Sequence, residues 1–139
     1  MRDHATRMIR EDYLMRLIRQ LAEVLARAAG FNTRRKYDEA VDELQRAWEE
    51  LLETPRNLLE VVDDATLAEL LREPAKMRIA AQLLAEEARA IAGKGDPVNA
   101  AVLSKRAMRL YASASVLDPT EDDDAAILEL SRAVPPGAL

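Results

Sequence analysis

LIRQLAEVLARAAGFNTRRKYDEAVDELQRAWEELL, residues 17–52, carries two apolar stripes at helical spacing with one short polar break between them. In the second, Tyr37, Ala40, Val41, Leu44, Ala47, Trp48, Leu51 and Leu52 recur every three or four residues, and nearly every position between them is charged. That period marks one face of an α-helix over 36–53. Upstream, Leu14, Leu17, Ile18, Leu21, Val24, Leu25 and Ala28 mark a helix over 8–29. Asp12–Arg16 and Glu23–Arg27 support its outer face as acid-first i,i+4 pairs. Gly30 stands where a C-terminal cap is wanted. The polar link Asn32-Thr33-Arg34-Arg35 is short, so the two helices form an antiparallel hairpin.

The same signals continue along the chain. Thr54-Pro55 restarts it, since threonine caps well and proline suits the first helical position. Two short helical candidates follow, one with Leu58, Leu59, Val61 and Val62, the next with Leu67, Leu70 and Leu71 behind Asp63-Asp64. After Pro74 an alanine-rich helix spans 75–92 and ends at Gly93-Lys94-Gly95. Asp96-Pro97 opens another, which runs to about Leu117 and stops at Asp118-Pro119. Thr120 with Asp123 starts a last one through about Ala133. No segment alternates with period two, and glycine totals 4, so no strand is expected. The fold class is all-α, antiparallel hairpins with six to seven helices, in one domain over 1–139. Residues 1–7 and 135–139 are expected to be mobile ends.

Composition narrows the function classes. The 139 residues are 49% apolar and 32% charged, with an aliphatic core implied by 4% aromatics. There is no cysteine, which excludes disulfides, thiolate catalysis and cysteine metal sites. The sole histidine, His4, lies near the terminus, so Ser104, Ser113, Ser115 and Ser131 have no evident base for a nucleophilic triad. Gly93-Lys94-Gly95 is too short for a phosphate loop and reads as a helix cap and turn. Glu121-Asp122-Asp123-Asp124 lacks the alternating spacing of a calcium loop and suits the positive end of a helix dipole. Glu49-Glu50 and Glu86-Glu87 are placed on solvated faces. No catalytic motif, metal site or cofactor is assigned; a carboxylate-based, metal-dependent enzyme is the least favoured alternative.

The charge is uneven. Residues 1–36 carry 9 basic and 4 acidic side chains, while the whole chain has a net charge of -5. The basic segment either docks on acidic neighbours of its own chain or meets nucleic acid or an anionic surface through Arg10, Arg34, Arg35 and Lys36. The helix over 36–53 is acidic, which speaks against a sequence-reading helix-turn-helix.

Two phrases, Tyr37-Asp38-Glu39-Ala40 with Leu44 and Ala47, and Gly95-Asp96-Pro97-Val98-Asn99-Ala100 with Ala107, place small residues seven apart after a turn. They resemble the second helix of the tetratricopeptide repeat, and Leu84, Ala88 and Ile91 resemble its first-helix positions. Pro55 and Pro119 depart from the repeat's terminal proline, and the two units stand 60 residues apart rather than in tandem. The phrase Met8-Ile9-Arg10-Glu11-Asp12-Tyr13-Leu14-Met15-Arg16-Leu17-Ile18, followed by Tyr37-Asp38-Glu39-Ala40, resembles a family of small uncharacterised bacterial proteins with a domain of unknown function. That resemblance implies a repeat-like helical fold and a bacterial source, and supplies no activity.

The expected role is a non-enzymatic protein-interaction module in the cytoplasm, because stacked hairpins leave a groove and an end face. The chain is expected to self-associate as a homodimer through the first helix. Met8, Met15 and Ala22 widen its apolar face on one side, and Leu17 and Val24 on the other, beyond what one neighbour covers. Met15 and Leu17 are the apolar interaction candidates; Arg34, Arg35 and Lys36 are the basic ones.

Overall fold

The capping residues fix where each helix begins. In the computed structural model, which describes residues 2–135 and side chains from residue 5 onward, α1 spans Arg2–Thr33 and α2 Tyr37–Leu52. A 3₁₀ turn follows at Arg56–Glu60, then α3 at Asp64–Leu71, α4 at Pro74–Gly93, α5 at Pro97–Leu117 and α6 at Glu121–Ala133. Asp63, Asp96 and Thr120 each accept a hydrogen bond from the backbone N–H three residues on, at 2.8, 3.2 and 3.3 Å. Pro74 and Pro97 occupy the first helical turn. Among the described residues the architecture is all-α, six helices and one 3₁₀ turn. No strand occurs among the described residues.

Three local expectations change. Thr54-Pro55 opens a single 3₁₀ turn, not an α-helix, and the Thr54 hydroxyl donates back to the Leu52 carbonyl at 3.0 Å. α1 begins at Arg2 rather than at residue 8, and it continues past Gly30 to Thr33. Its stop comes later because Arg35 takes the left-handed conformation, φ 60°. The Lys36 N–H then reaches the Phe31 carbonyl at 2.8 Å and the Arg35 N–H the Asn32 carbonyl at 3.1 Å. This is a Schellman closure with arginine where glycine is usual. The expectations for Pro136, Gly137, Ala138 and Leu139, and for the His4 side chain, lie outside the described residues.

Sixty residues on, the α4–α5 turn repeats the pattern. Asp96 N–H meets the Ile91 carbonyl at 3.2 Å and Gly95 N–H the Ala92 carbonyl at 3.0 Å, with Gly95 at φ 91°. Gly93, expected to be part of the cap, serves a different purpose: a Cβ there would overlap the Tyr37 ring. Its absence lets the start of α2 lie against the end of α4.

α4 is the hub, packing on α5, α2 and α1. Met77, Ile79, Ala80, Ala81, Leu83, Leu84, Ala88 and Ala90 are buried around nearly its whole circumference, as a helix without a solvent face requires. Its alanines bring neighbouring axes toward the close end of the roughly 8–10 Å packing range. Ala40 and Ala47 of α2 are 0% and 2% exposed, and Ala100 and Ala107 of α5 are 7% and 0%. Leucine at Ala40 or Ala100 is therefore expected to overpack, costing about 1–3 kcal/mol. Urea titration of both variants measures it; unchanged midpoints for both would show that these helices do not meet there.

Arginines fasten the outer elements. Arg106 of α5 reaches Asp64 at 2.8 Å, the Val62 carbonyl at 2.8 Å and the Leu59 carbonyl, tying down the 3₁₀ turn and the start of α3. Arg78 of α4 forks onto Asp123 at 2.9 and 2.8 Å and onto the Asp118 carbonyl at 2.5 Å, anchoring α6. Arg10 near the start of α1 pairs with Glu73, just before α4.

Candidate interaction groove

α1 is twice as long as the helix it pairs with, 32 residues against 16. At 1.5 Å per residue the difference is roughly 24 Å of helix beyond the end of α2. Residues 5–12 of this overhang are all exposed. The wide apolar face read from the sequence resolves into two seams, each with the 3-4-3-4 spacing of a coiled coil. One, Leu14, Leu17, Leu21, Val24 and Ala28, points into the subunit: Leu17, Leu21, Val24 and Ala28 are buried and Leu14 is half-buried. The other, Met15, Ile18, Ala22, Leu25 and Ala29, is displaced by one residue, about 100° around the helix. Met15 is 53% and Ile18 44% exposed, Met8 extends the stripe at 53%, and only Leu25 is half-covered.

The outward seam runs into a groove. Leu25, Ala26 and Ala29 of α1 form one wall; Ala85 and Arg89 of α4 lie along the floor; Ala126 and Leu130 of α6 face them. This part encloses about 410 Å³. A second part of about 520 Å³ continues between α4, α5 and α6 past Ala88, Ala92, Ala100 and Ser104. Arg89 stands between the two, bonded to Glu86 at 3.0 Å and 3.9 Å from Glu129. Alanine is the most frequent lining residue, interspersed with Gln82, Arg89, Glu129 and Arg132, so the groove is wide and shallow, suited to a rod with its own side chains.

Most polar groups around it are committed to the fold. Glu86 and Glu87 are 8% and 4% exposed, not on a solvated face as expected. Glu86 also accepts from Asn32 at 3.2 Å, and Glu87 accepts from Arg56 at 2.6 Å and Gln45 at 3.4 Å. Arg56 lies over the Trp48 ring, 5.8 Å from its centre. Asp123 is 1% exposed, and its Arg78 partner holds its carboxyl below the ordinary 3.8. Burial, with the nearby Asp123 charge, pushes the Tyr111 phenol up to about 12. Asp123 is thus taken by an ion pair, while Glu121, Asp122 and Asp124 are exposed in the first turn of α6. No cluster of metal-ligating side chains forms among the described residues.

The sequence-selected residues separate. Met15 is exposed on the outward seam. Leu17, selected for the same interface, is 5% exposed and belongs to the subunit core, because it lies on the inward seam with Leu21 and Val24. The Val24 side of α1 is likewise closed. Arg34, Arg35 and Lys36 are exposed, but they sit at the C-terminal end of α1, where the helix dipole favours cations. The run also leads into α2, whose N-cap is Lys36. Arg34 lies over the Phe31 ring at 5.3 Å and donates to the Gly30 carbonyl at 3.2 Å. Arg10 is 24 residues up the same helix, roughly 36 Å away, and engaged with Glu73 and the Tyr13 ring. The structure does not gather these cations into one patch.

The ion pairs that take Glu87 and Asp123, with Arg56 and Arg78, are not legible in the local spacing of the sequence. The available signal was that 75–92 has no continuous polar face, so its acids had to turn inward somewhere. No helix of the described residues is long and apolar enough to cross a membrane. Comparison with family models, with curated proteins and with solved structures gives no match.

Proposed function

We propose that this chain is a non-enzymatic interaction module that docks an amphipathic helix along α1 and into the α1–α4–α6 groove. One observation carries the proposal: α1 bears a second heptad seam, and its Met8, Met15 and Ile18 stay 53%, 53% and 44% exposed. Water-exposed apolar side chains at 3-4 spacing fit the knobs and holes of another helix, and a groove rich in alanine admits a helix backbone closely. The paired Schellman turns and the buried Ala40/Ala100 and Ala47/Ala107 sets support a tetratricopeptide-like origin for the scaffold. The cytoplasm suits a chain without cysteine.

The reading is tested by titrating the isotopically labelled protein with a synthetic heptad peptide carrying leucine and isoleucine at its seam. Chemical-shift changes are expected at Met15, Ile18, Leu25, Ala85 and Leu130, and are lost in Ile18→Lys. No shifts up to high micromolar peptide, or shifts confined to α3, would overturn it.

A further inference from the structure

The helix that this face takes is α1 of a second copy, running antiparallel; we infer this from the charges flanking the seam, and it rests on the helix-docking reading above. Around the exposed Met15, an acidic turn, Glu11-Asp12, lies on one side and a basic turn, Arg16 and Arg19, on the other; all four are exposed. Glu11 itself falls on the seam line, seven residues before Ile18 and three after Met8. A parallel in-register pair would place Glu11 against Glu11 on the seam, like charges in contact. Antiparallel pairing about a twofold axis between Met15 and Ile18 removes that conflict.

In that register Met15 of one chain meets Ile18 of the other, twice. Glu11 meets the small Ala22, and Met8 meets Leu25. Asp12 comes beside Arg19 of the second copy, again twice, the opposite-charge arrangement that sets partner and orientation in helix pairs. Self-complementarity of this kind is what an isologous dimer demands, since each surface meets its own copy.

The overhang gains a purpose from this geometry. Met8 lies on the part of α1 that projects past α2, and Leu25 lines the groove. Setting Met8 of one chain on Leu25 of the other lays each free helix end at the mouth of its partner's groove. The exposed apolar start of α1 and the open groove then cover each other. The long α1 is what makes the exchange reciprocal: a first helix ending level with α2 would leave Met8 and Glu11 absent and the groove uncovered.

Charge reversal tests the register without touching the core. One variant carries Glu11→Lys with Asp12→Lys; a second carries Arg19→Glu. Circular dichroism is expected to show both folded, as all three positions are exposed. Sedimentation equilibrium is expected to show the wild type as a dimer and each variant alone at least about tenfold weaker. Mixed in equal amounts, the two variants are expected to form a heterodimer of near wild-type affinity, because each acidic or lysine turn then meets its opposite. An Arg19→Glu dimer of unchanged affinity would overturn the antiparallel register. A wild type that remains one chain across the range, yet binds the heptad peptide, would overturn the second copy as occupant and leave helix docking standing. Failure of both would remove both.

Discussion

Trp48→Ala is expected to destabilise the subunit by about 3–5 kcal/mol, the range for deleting a large aromatic from a packed core. Trp48 is 1% exposed in α2, where it faces the α4 hub and covers Arg56. Arg56 in turn holds Glu87 at 2.6 Å, and the side chains of that pair are only 15% and 5% exposed. Truncating the ring leaves a cavity and admits water to an ion pair built for a dry setting. Trp48→Phe should cost much less, about 1–2 kcal/mol, since the buried Trp48 Nε1 has no hydrogen-bond partner among the described residues and loses none. Denaturant unfolding followed by circular dichroism measures both. A cost below 1 kcal/mol for the alanine variant would show that α2 does not seal the hub through this residue.

Asp123→Ala is expected to cost about 2–3 kcal/mol, because it removes two charge-assisted hydrogen bonds from Arg78 and leaves that guanidinium only Asp118, at 3.1 Å. The effect should be local. α6 buries little else: Ala126, Ile127 and Leu130 are only half-covered, and the Arg78 fork fixes its first turn. Hydrogen exchange should therefore accelerate in α6 while α4 amides stay protected. Uniform loss of protection would show that α6 is integral to the core. The same pair contributes to the acid limb of stability, as does Asp63, whose carboxyl is lowered by its bonds to Thr66. Asp123 titrates below its unfolded value of 3.8, so its contribution is complete above that value and is lost as pH falls through the lower folded one. Tyr111 contributes to the alkaline limb. Its folded value is raised from 10.0 to about 12, so its contribution is complete below pH 10 and fades toward 12.

Periodicity and punctuation made the helices legible. Stripes such as Leu44–Trp48–Leu51 and caps such as Asp96-Pro97 are local signals, set within a turn or two of the residues that obey them. What escaped was whatever depends on a distant partner. Glu86 and Glu87 look like any surface acid pair until Asn32 and Arg56 are brought to them. Gly93 looks like a cap until the Tyr37 ring arrives. Gly30 looked like the end of α1, but Arg35 accepted the strained conformation and moved the stop onward. The candidate interface was half legible. The width of the apolar face on α1 announced two contacts, yet sequence spacing alone did not say which side the subunit would take. The structure gives Leu17 and Val24 to the core and leaves Met8 and Met15 outside.

The most direct test of that division is the mass of wild type and Met15→Asp by light scattering after size exclusion, with helix content from circular dichroism. Met15 is on the outward seam and 53% exposed, so the charge should burden the dimer contact alone. The account predicts a wild-type mass of two chains, a variant mass of one chain, and the same helical signal in both. A wild-type mass of one chain at every concentration down to low micromolar, or a variant that loses its helices, would contradict it.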